Sequence, residues 1–240
     1  MDTTMSCGNG AKDAEAVPLP KVSARAVQAE VDGRNPDFVL DRVWNVRQLY
    51  AANPETVDRT WGGERGLSAK IWVGRTGDFL RVRFEVRDDI HRQTFSADQL
   101  YLSDGLQFIL QSPSQSGNFE FGLARTETGE GLVKVWIAPA GFKADEVAAA
   151  VRLDTARTGD ITVYDAKIPL KAIGFDEATV ANGFKFNAII YDYDGIGETR
   201  ESWIEIAPGI ASGKDYSKAP YVKILNTNQS TKSERKGSTR

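Results

Sequence analysis

The sequence predicts an all-β chain: an antiparallel β-sandwich of jelly-roll or immunoglobulin-like type with about ten to twelve strands. Three observations lead there. Apolar and polar residues alternate with a period of two over short runs, turn residues recur between those runs, and extended stretches of helical period are missing. In 79–86 (FLRVRFEV) Leu80, Val82, Phe84 and Val86 share one face while Arg81, Arg83 and Glu85 share the other. In 67–74 (LSAKIWVG) Leu67, Ala69, Ile71 and Val73 do the same, and Arg75-Thr76-Gly77-Asp78 between the two runs suits a hairpin.

Taken in chain order, 22–31 and 37–43 are the first expected strands, followed by 67–74 and 79–86. Then come 105–111, 118–125, 132–138, 147–153, 160–168, 184–191, 202–206 and 220–225, each a short run rich in β-branched or aromatic residues between turn residues. Pro169 to Gly174 reads as one helical turn closed by its glycine. No internal repeat is visible. Residues 1–21 and 226–240 are low in complexity and lack periodicity, so a disordered leader, one domain over 22–225 and a disordered basic tail are expected. Thr4-Met5-Ser6-Cys7 is a poor lipid-attachment signal, leaving either a lipid anchor at Cys7 or a free thiol in a tail.

Composition removes several classes. The net charge of −3 excludes a strongly basic nucleic-acid binder. One cysteine excludes an internal disulfide framework and a cysteine-based zinc site. One histidine, His91, excludes multi-histidine metal sites and speaks against a Ser-His-Asp triad. No apolar run approaches the ~20 residues of a membrane span.

Four groups of residues carry candidate chemistry. Asp88 and Asp89 end one strand, Asp104 starts the next, and Asp192 and Asp194 follow the strand 184–191. If these strand ends converge, five carboxylates offer an oxygen cage for a hard cation, which is calcium chemistry; otherwise they cap turns. Trp61, Tyr101, Trp136, Trp203 and Tyr216 fall in loops or on outward faces, where rings flanked by polar groups suit sugar recognition; the plain alternative is core packing. Arg75, Arg81, Arg83 and Arg87 could meet an anionic ligand, or could pair across strands with Glu85, Glu120 or Asp165, the option the alternation favours. His91 could be a base or a ligand, and more simply is a loop histidine held by an aspartate. Composition leaves a hydrolytic pair such as Asp88 with Asp104 open.

Leu67 to Gly74, then Leu80 to Val86, then Asp88-Asp89-Ile90-His91 resemble the domains similar to family 9 carbohydrate-binding modules found in bacterial polysaccharide-degrading proteins. Further matches follow in the same order: Asp98-Gln-Leu-Tyr101-Leu-Ser-Asp104-Gly-Leu-Gln107, Phe119 to Leu123, Tyr164 to Gly174, Phe184 to Asp194, Trp203 to Ile210, and Gly213-Lys214-Asp215. They span about residues 38–225. The resemblance implies an antiparallel β-sandwich, a structural calcium, and a glycan ligand gripped by an aromatic clamp, which carries over to Tyr101 and Trp203. Arg75 and Arg81 stand where the family has aromatic residues, implying a basic contribution to the ligand surface. Trp61, Trp136 and Lys214 complete the expected ligand set.

The function expected is therefore non-catalytic carbohydrate binding by a monomeric module, secreted, periplasmic or on a bacterial cell surface, alone or accessory to a polysaccharide-degrading system. Tyr101 and Trp203 are expected to line one ligand-sized cleft outside the core, with His91 dispensable. A glycoside hydrolase or lyase and a haem-binding sandwich are the alternatives.

Overall fold

A computed structural model describes residues 25–27, 31–41, 63–195, 198–200, 202–211 and 213–225. Cys7, Trp61 and the two expected tails lie outside them. The described residues form twelve strands: β1 (Arg25–Val27), β2 (Phe38–Leu40), β3 (Leu67–Thr76), β4 (Phe79–Asp88), β5 (Gly105–Gln111), β6 (Phe119–Arg125), β7 (Gly131–Ile137), β8 (Arg152–Thr158), β9 (Ile161–Pro169), β10 (Phe184–Asp192), β11 (Ser202–Glu205) and β12 (Tyr221–Ile224). The larger sheet runs β1-β12-β10-β5-β6-β7, with β11 also on β10; the smaller runs β2-β3-β4-β9-β8. All pairs are antiparallel except β1 with β12, which is parallel. The sandwich read from alternation is the observed fold.

Alternation decides which side chains fill the space between the sheets. Leu80, Val82, Phe84 and Val86 of β4 point inward, against Leu106, Phe108 and Leu110 of β5 and Phe119, Phe121 and Leu123 of β6. Phe108 is central. Its ring stacks on Phe121 at 4.9 Å and 7°, and touches Phe84 at 5.9 Å and Phe186 at 6.1 Å. Burying each such ring stabilises the fold by about 1.5–3 kcal/mol. The β3–β4 hairpin closes through Gly77-Asp78, with Gly77 at φ 56°, the conformation a II′ turn requires at its first central position.

One expected strand is wrong. Residues 147–153 do not form a single strand: Ala144–Ala150 is a helix, α1, and β8 begins at Arg152. The run ADEVAAA is rich in the best helix former and carries Asp145 and Glu146 in its first turn, where the helix dipole favours acids. A second helix, α2 (Glu177–Asn182), was not foreseen. It is capped by Asp176, which accepts the Thr179 N–H at 2.7 Å. The turn at Leu170–Ile173 is 3₁₀ and ends at Gly174 in the left-handed region (φ 63°).

Two places outside the core matter for function. Tyr191 near the end of β10 pairs with Gly105 at the start of β5, so those strand ends meet at one end of the sandwich, where Asp104 lies beside the end of β4. The outer face of the larger sheet carries a second apolar cluster: Ile109, Ile189, Tyr191, Trp203, Ile210 and Ala219, with Tyr101 and Tyr216 packed on it. Phe108→Ala should cost about 3–5 kcal/mol. Urea unfolding of the variant checks this, and a loss below about 1 kcal/mol would place the core elsewhere.

Candidate functional site

At the end of the sandwich, four of the five expected carboxylates converge. Ligand atoms of Asp88, His91 and Asp104 lie within 4.8 Å of one another, as do those of Asp88, Asp192 and Asp194. Asp88 Oδ1 accepts the Ile90 N–H at 3.0 Å. Asp104 accepts the Tyr193 N–H at 2.7 Å and the Arg92 N–H at 2.5 Å. Asp192 Oδ2 accepts the Ser202 hydroxyl at 2.6 Å. Burial first, and then repulsion by Asp88, hold the Asp104 carboxyl well above its usual range, although its two backbone donors pull the other way. Arg157 offsets part of this negative charge, with Nη1 3.7 Å from Asp88 Oδ2.

Asp89 does not belong to the cluster and is exposed. Alternation gives the reason: Asp88 points in at the end of β4, so its successor points out. His91 takes a place there instead, with a side chain only 6% exposed. Its Nε2 lies 2.8 Å from the Arg125 carbonyl, which can only accept, so Nε2 carries hydrogen. Nδ1 faces Asp88 and Asp104 at 3.5 and 3.6 Å. Nδ1 is thus the ring atom that could join these two acids in holding a cation. The set Asp88, Asp192 and Asp194 supplies oxygen alone and suits a hard cation.

The second candidate is the outer face of the larger sheet. On β6, Glu120 and Gly122 alternate with the core residues Phe119, Phe121 and Leu123. The β6–β7 register shifts between Glu120 and Phe121, leaving Trp136 as the extra residue of a bulge. The six-membered ring of Trp136 sits over Gly122: a Cβ there would lie 2.3 Å from its Cη2, so a side chain would displace the ring. Trp136 Nε1 donates to the Asp98 carbonyl at 3.1 Å. Tyr101 meets this ring edge-on, 5.9 Å away and at 71°, and both are half-buried. The pair forms a corner of two rings at the surface.

Polar groups surround that corner. Glu120 is 2% exposed and accepts from Lys214 Nζ at 2.6 Å and the Tyr216 hydroxyl at 2.5 Å. Burial and this carboxylate raise the Tyr216 pKa. Tyr191 donates its hydroxyl to Gln107. Lys214 holds a positive φ of 55°, the left-handed region that a non-glycine residue adopts only under constraint.

Several expected ligand residues lie otherwise. Trp203 is 8% exposed, not open. It sits opposite Tyr191 on β10 and packs in the second apolar cluster, so it supports the face from beneath. Tyr101 packs on that same cluster. Arg75 is engaged by Glu177 in a bidentate pair, one arm at 2.5 Å. Arg81 binds both oxygens of Asp165, at 2.8 and 2.5 Å. Arg83 and Arg87 pair with Glu85 and Asp160. The basic stripe of β4 is thus engaged in salt bridges on the smaller sheet. Gly122, Tyr191 and Arg200 were not singled out, and Glu120 was named only as a partner for the arginines, whereas it binds Lys214 and Tyr216; the sequence signal was the outward position of Glu120 and Gly122 on a strand whose other residues are core.

No protein-family model matches the chain, and no curated protein matches it. Among solved structures, the fold is similar to a family 9 carbohydrate-binding module from Caldicellulosiruptor kristjanssonii in complex with glucose, with a TM-score of 0.53 and 14% identity over 85% of this chain and 93% of that one. A structure from the same organism in complex with cellotriose aligns with a TM-score of 0.49 and 15% identity, covering 87% of this chain and 94% of that one. At this identity the likeness is one of fold, and the fold agrees with the resemblance drawn from the motifs.

The Arg81–Asp165 pair gives a pH test. Burial alone would raise the Asp165 pKa, but the hydrogen bonds and charge of Arg81, with the charge of Arg83, hold it below the usual carboxylate range. The pair therefore stabilises the fold at neutral pH, and its contribution fades as pH falls below about 4, the unfolded value, toward the lower folded one. Asp165→Asn should cost about 1.5–3 kcal/mol at pH 7, with the gap to wild type narrowing below about pH 4 in urea melts. A gap that does not change with pH would remove the ion pair as its cause.

Proposed function

We propose that the protein is a non-catalytic carbohydrate-binding module that holds a glycan on the outer face of its larger sheet. The observation that supports this most is the ring corner of Trp136 and Tyr101, seated on Gly122 and bordered by Glu120, Lys214 and Tyr216. Pyranose C–H faces stack on aromatic rings, while sugar hydroxyls take directional bonds from charged and polar groups. The likeness to a module bound to glucose points the same way. Trp203 acts by holding Tyr191 and Tyr101 in place. A hydrolytic role for Asp88 and Asp104 is disfavoured because their side chains are only 4% and 3% exposed, leaving no room for a glycosidic bond between them. A secreted, periplasmic or cell-surface location accompanies this reading.

The test is calorimetric titration with a panel of neutral and acidic oligosaccharides, with product release followed in parallel. Binding without turnover is expected. Tyr101→Ala and Trp136→Ala should each weaken it about fivefold, the loss of about 1 kcal/mol of ring contact, with folding intact. No binding across the panel, or binding untouched by both substitutions, would contradict the assignment.

The same reading includes a structural calcium ion at the end of the sandwich, held by Asp88, Asp192 and Asp194 with Asp104 beside them. The oxygen donor set suits that ion, and its charge would offset the repulsion that raises Asp104. An ion that binds only the folded state adds about 2.7 kcal/mol when free ion is 100 times its dissociation constant. EDTA should lower the melting temperature and calcium restore it. A metal-stripped protein whose melting temperature calcium leaves unchanged would exclude the ion.

A further inference from the structure

Arg200 stands apart from the cations that the sandwich pairs internally. Arg75, Arg81, Arg83, Arg87, Lys134 and Lys214 each have a carboxylate within salt-bridge distance. Arg200 has none among the described residues; Arg92, Arg125 and Arg152 share that lack, but Arg200 is the one packed on Tyr101. Its backbone N–H is fixed to the Leu102 carbonyl at 2.6 Å, and Nη1 donates to the Tyr101 carbonyl. Its guanidinium carbon lies 5.4 Å from the centre of the Tyr101 ring and 4.6 Å from that of Tyr191. Nε is shielded from solvent with no acceptor. The residue as a whole is half-buried beside Tyr101.

A guanidinium taken partly out of water needs compensation. Two tyrosine rings supply some of it, through their negative faces. Burial nevertheless depresses the Arg200 pKa, which marks the cation as under-compensated. The group also lies beside the ring corner, since Tyr101 touches both Arg200 and Trp136. Among the described residues no carboxylate pairs with it, and it stands beside the place where the proposed ligand arrives. A planar guanidinium pairs well with a planar carboxylate, the anion that a uronic acid carries.

Resting on the reading of this face as a glycan site, we infer that the preferred ligand is an acidic oligosaccharide, whose uronic acid carboxylate pairs with Arg200 while the ring stacks at Trp136 and Tyr101. Lys134 and Lys214 already have their acids, Asp98 and Glu120, so the discrimination between acidic and neutral sugar falls on Arg200.

The experiment compares trigalacturonate and trimannuronate with their methyl esters, which keep the sugars and remove the charge. Titrations are run on the full chain at low and physiological salt. At least one acid should bind about tenfold or more tighter than its ester, with the preference shrinking as salt rises. Arg200→Met keeps much of the packing on the two tyrosines and should bind acid and ester alike. Arg200→Lys should keep part of the preference. Melting curves of both variants show that they are folded, and the acid-to-ester ratio in the wild type does not depend on either. Equal binding of acid and ester by the wild type, or preference for neutral oligosaccharides, would overturn the uronate assignment and leave glycan binding standing. No binding of any oligosaccharide would overturn the glycan reading itself.

Discussion

Every functional feature of this protein depends on the aromatic packing between its two sheets. Phe108 on β5, stacked on Phe121 and in contact with Phe84 and Phe186, fixes which residues of four strands face inward. With a period of two, that choice also fixes the outer residues: Gln107 and Ile109 on β5, Glu120 and Gly122 on β6, Ile189 and Tyr191 on β10. A slip of one residue would exchange Glu120 with Phe121 and destroy core and surface together. The ring corner and its polar border are the outward counterpart of the core.

The bulge in β7 adds what strict alternation cannot. One extra residue lets Trp136 sit over the sheet, and the missing side chain of Gly122 gives it the space. At the end of the sandwich, in contrast, repulsion dominates. Asp88 and Asp104 are held together out of water by strands of different sheets, and Arg157 answers only part of the charge. The two places do different work: one offers open rings and polar groups, while the other is closed and suited to an ion.

Much of this was legible in the sequence because alternation is a strong signal. β4, β5, β6, β9 and β10 were read within a residue or two of their observed bounds, and the acids at their ends were found with them. Alternation names the face of a residue but not its neighbour. The partner of Arg81 is Asp165, on a strand far along the chain, so a paired cation could be taken for a ligand group. Trp203 looked open because nothing in its own strand shows that Ile210 and Ala219 pack with it on β10. Asp89 was included because adjacent acids look equivalent until the pleat separates them. The alanine-rich run at Ala144–Ala150 lies between two strands and shared their apolar character, which hid its helix. Arg200 left no local signal, because what marks it is its contact with the rings of Tyr101 and Tyr191, which come from distant positions in the chain.

The most direct test is to watch the tryptophan indole N–H signals by nuclear magnetic resonance while an oligosaccharide that binds is added. Trp136 and Trp72 report on opposite outer faces, since Trp136 lies on the larger sheet and Trp72 sits opposite the outward-facing Arg83 on the smaller one. An outer-face glycan site on the larger sheet predicts that the Trp136 indole and the Tyr101 amide shift together, while Trp72 and the β4–β9 amides stay in place. Shifts centred on Trp72 and β4, with Trp136 unmoved, would contradict it.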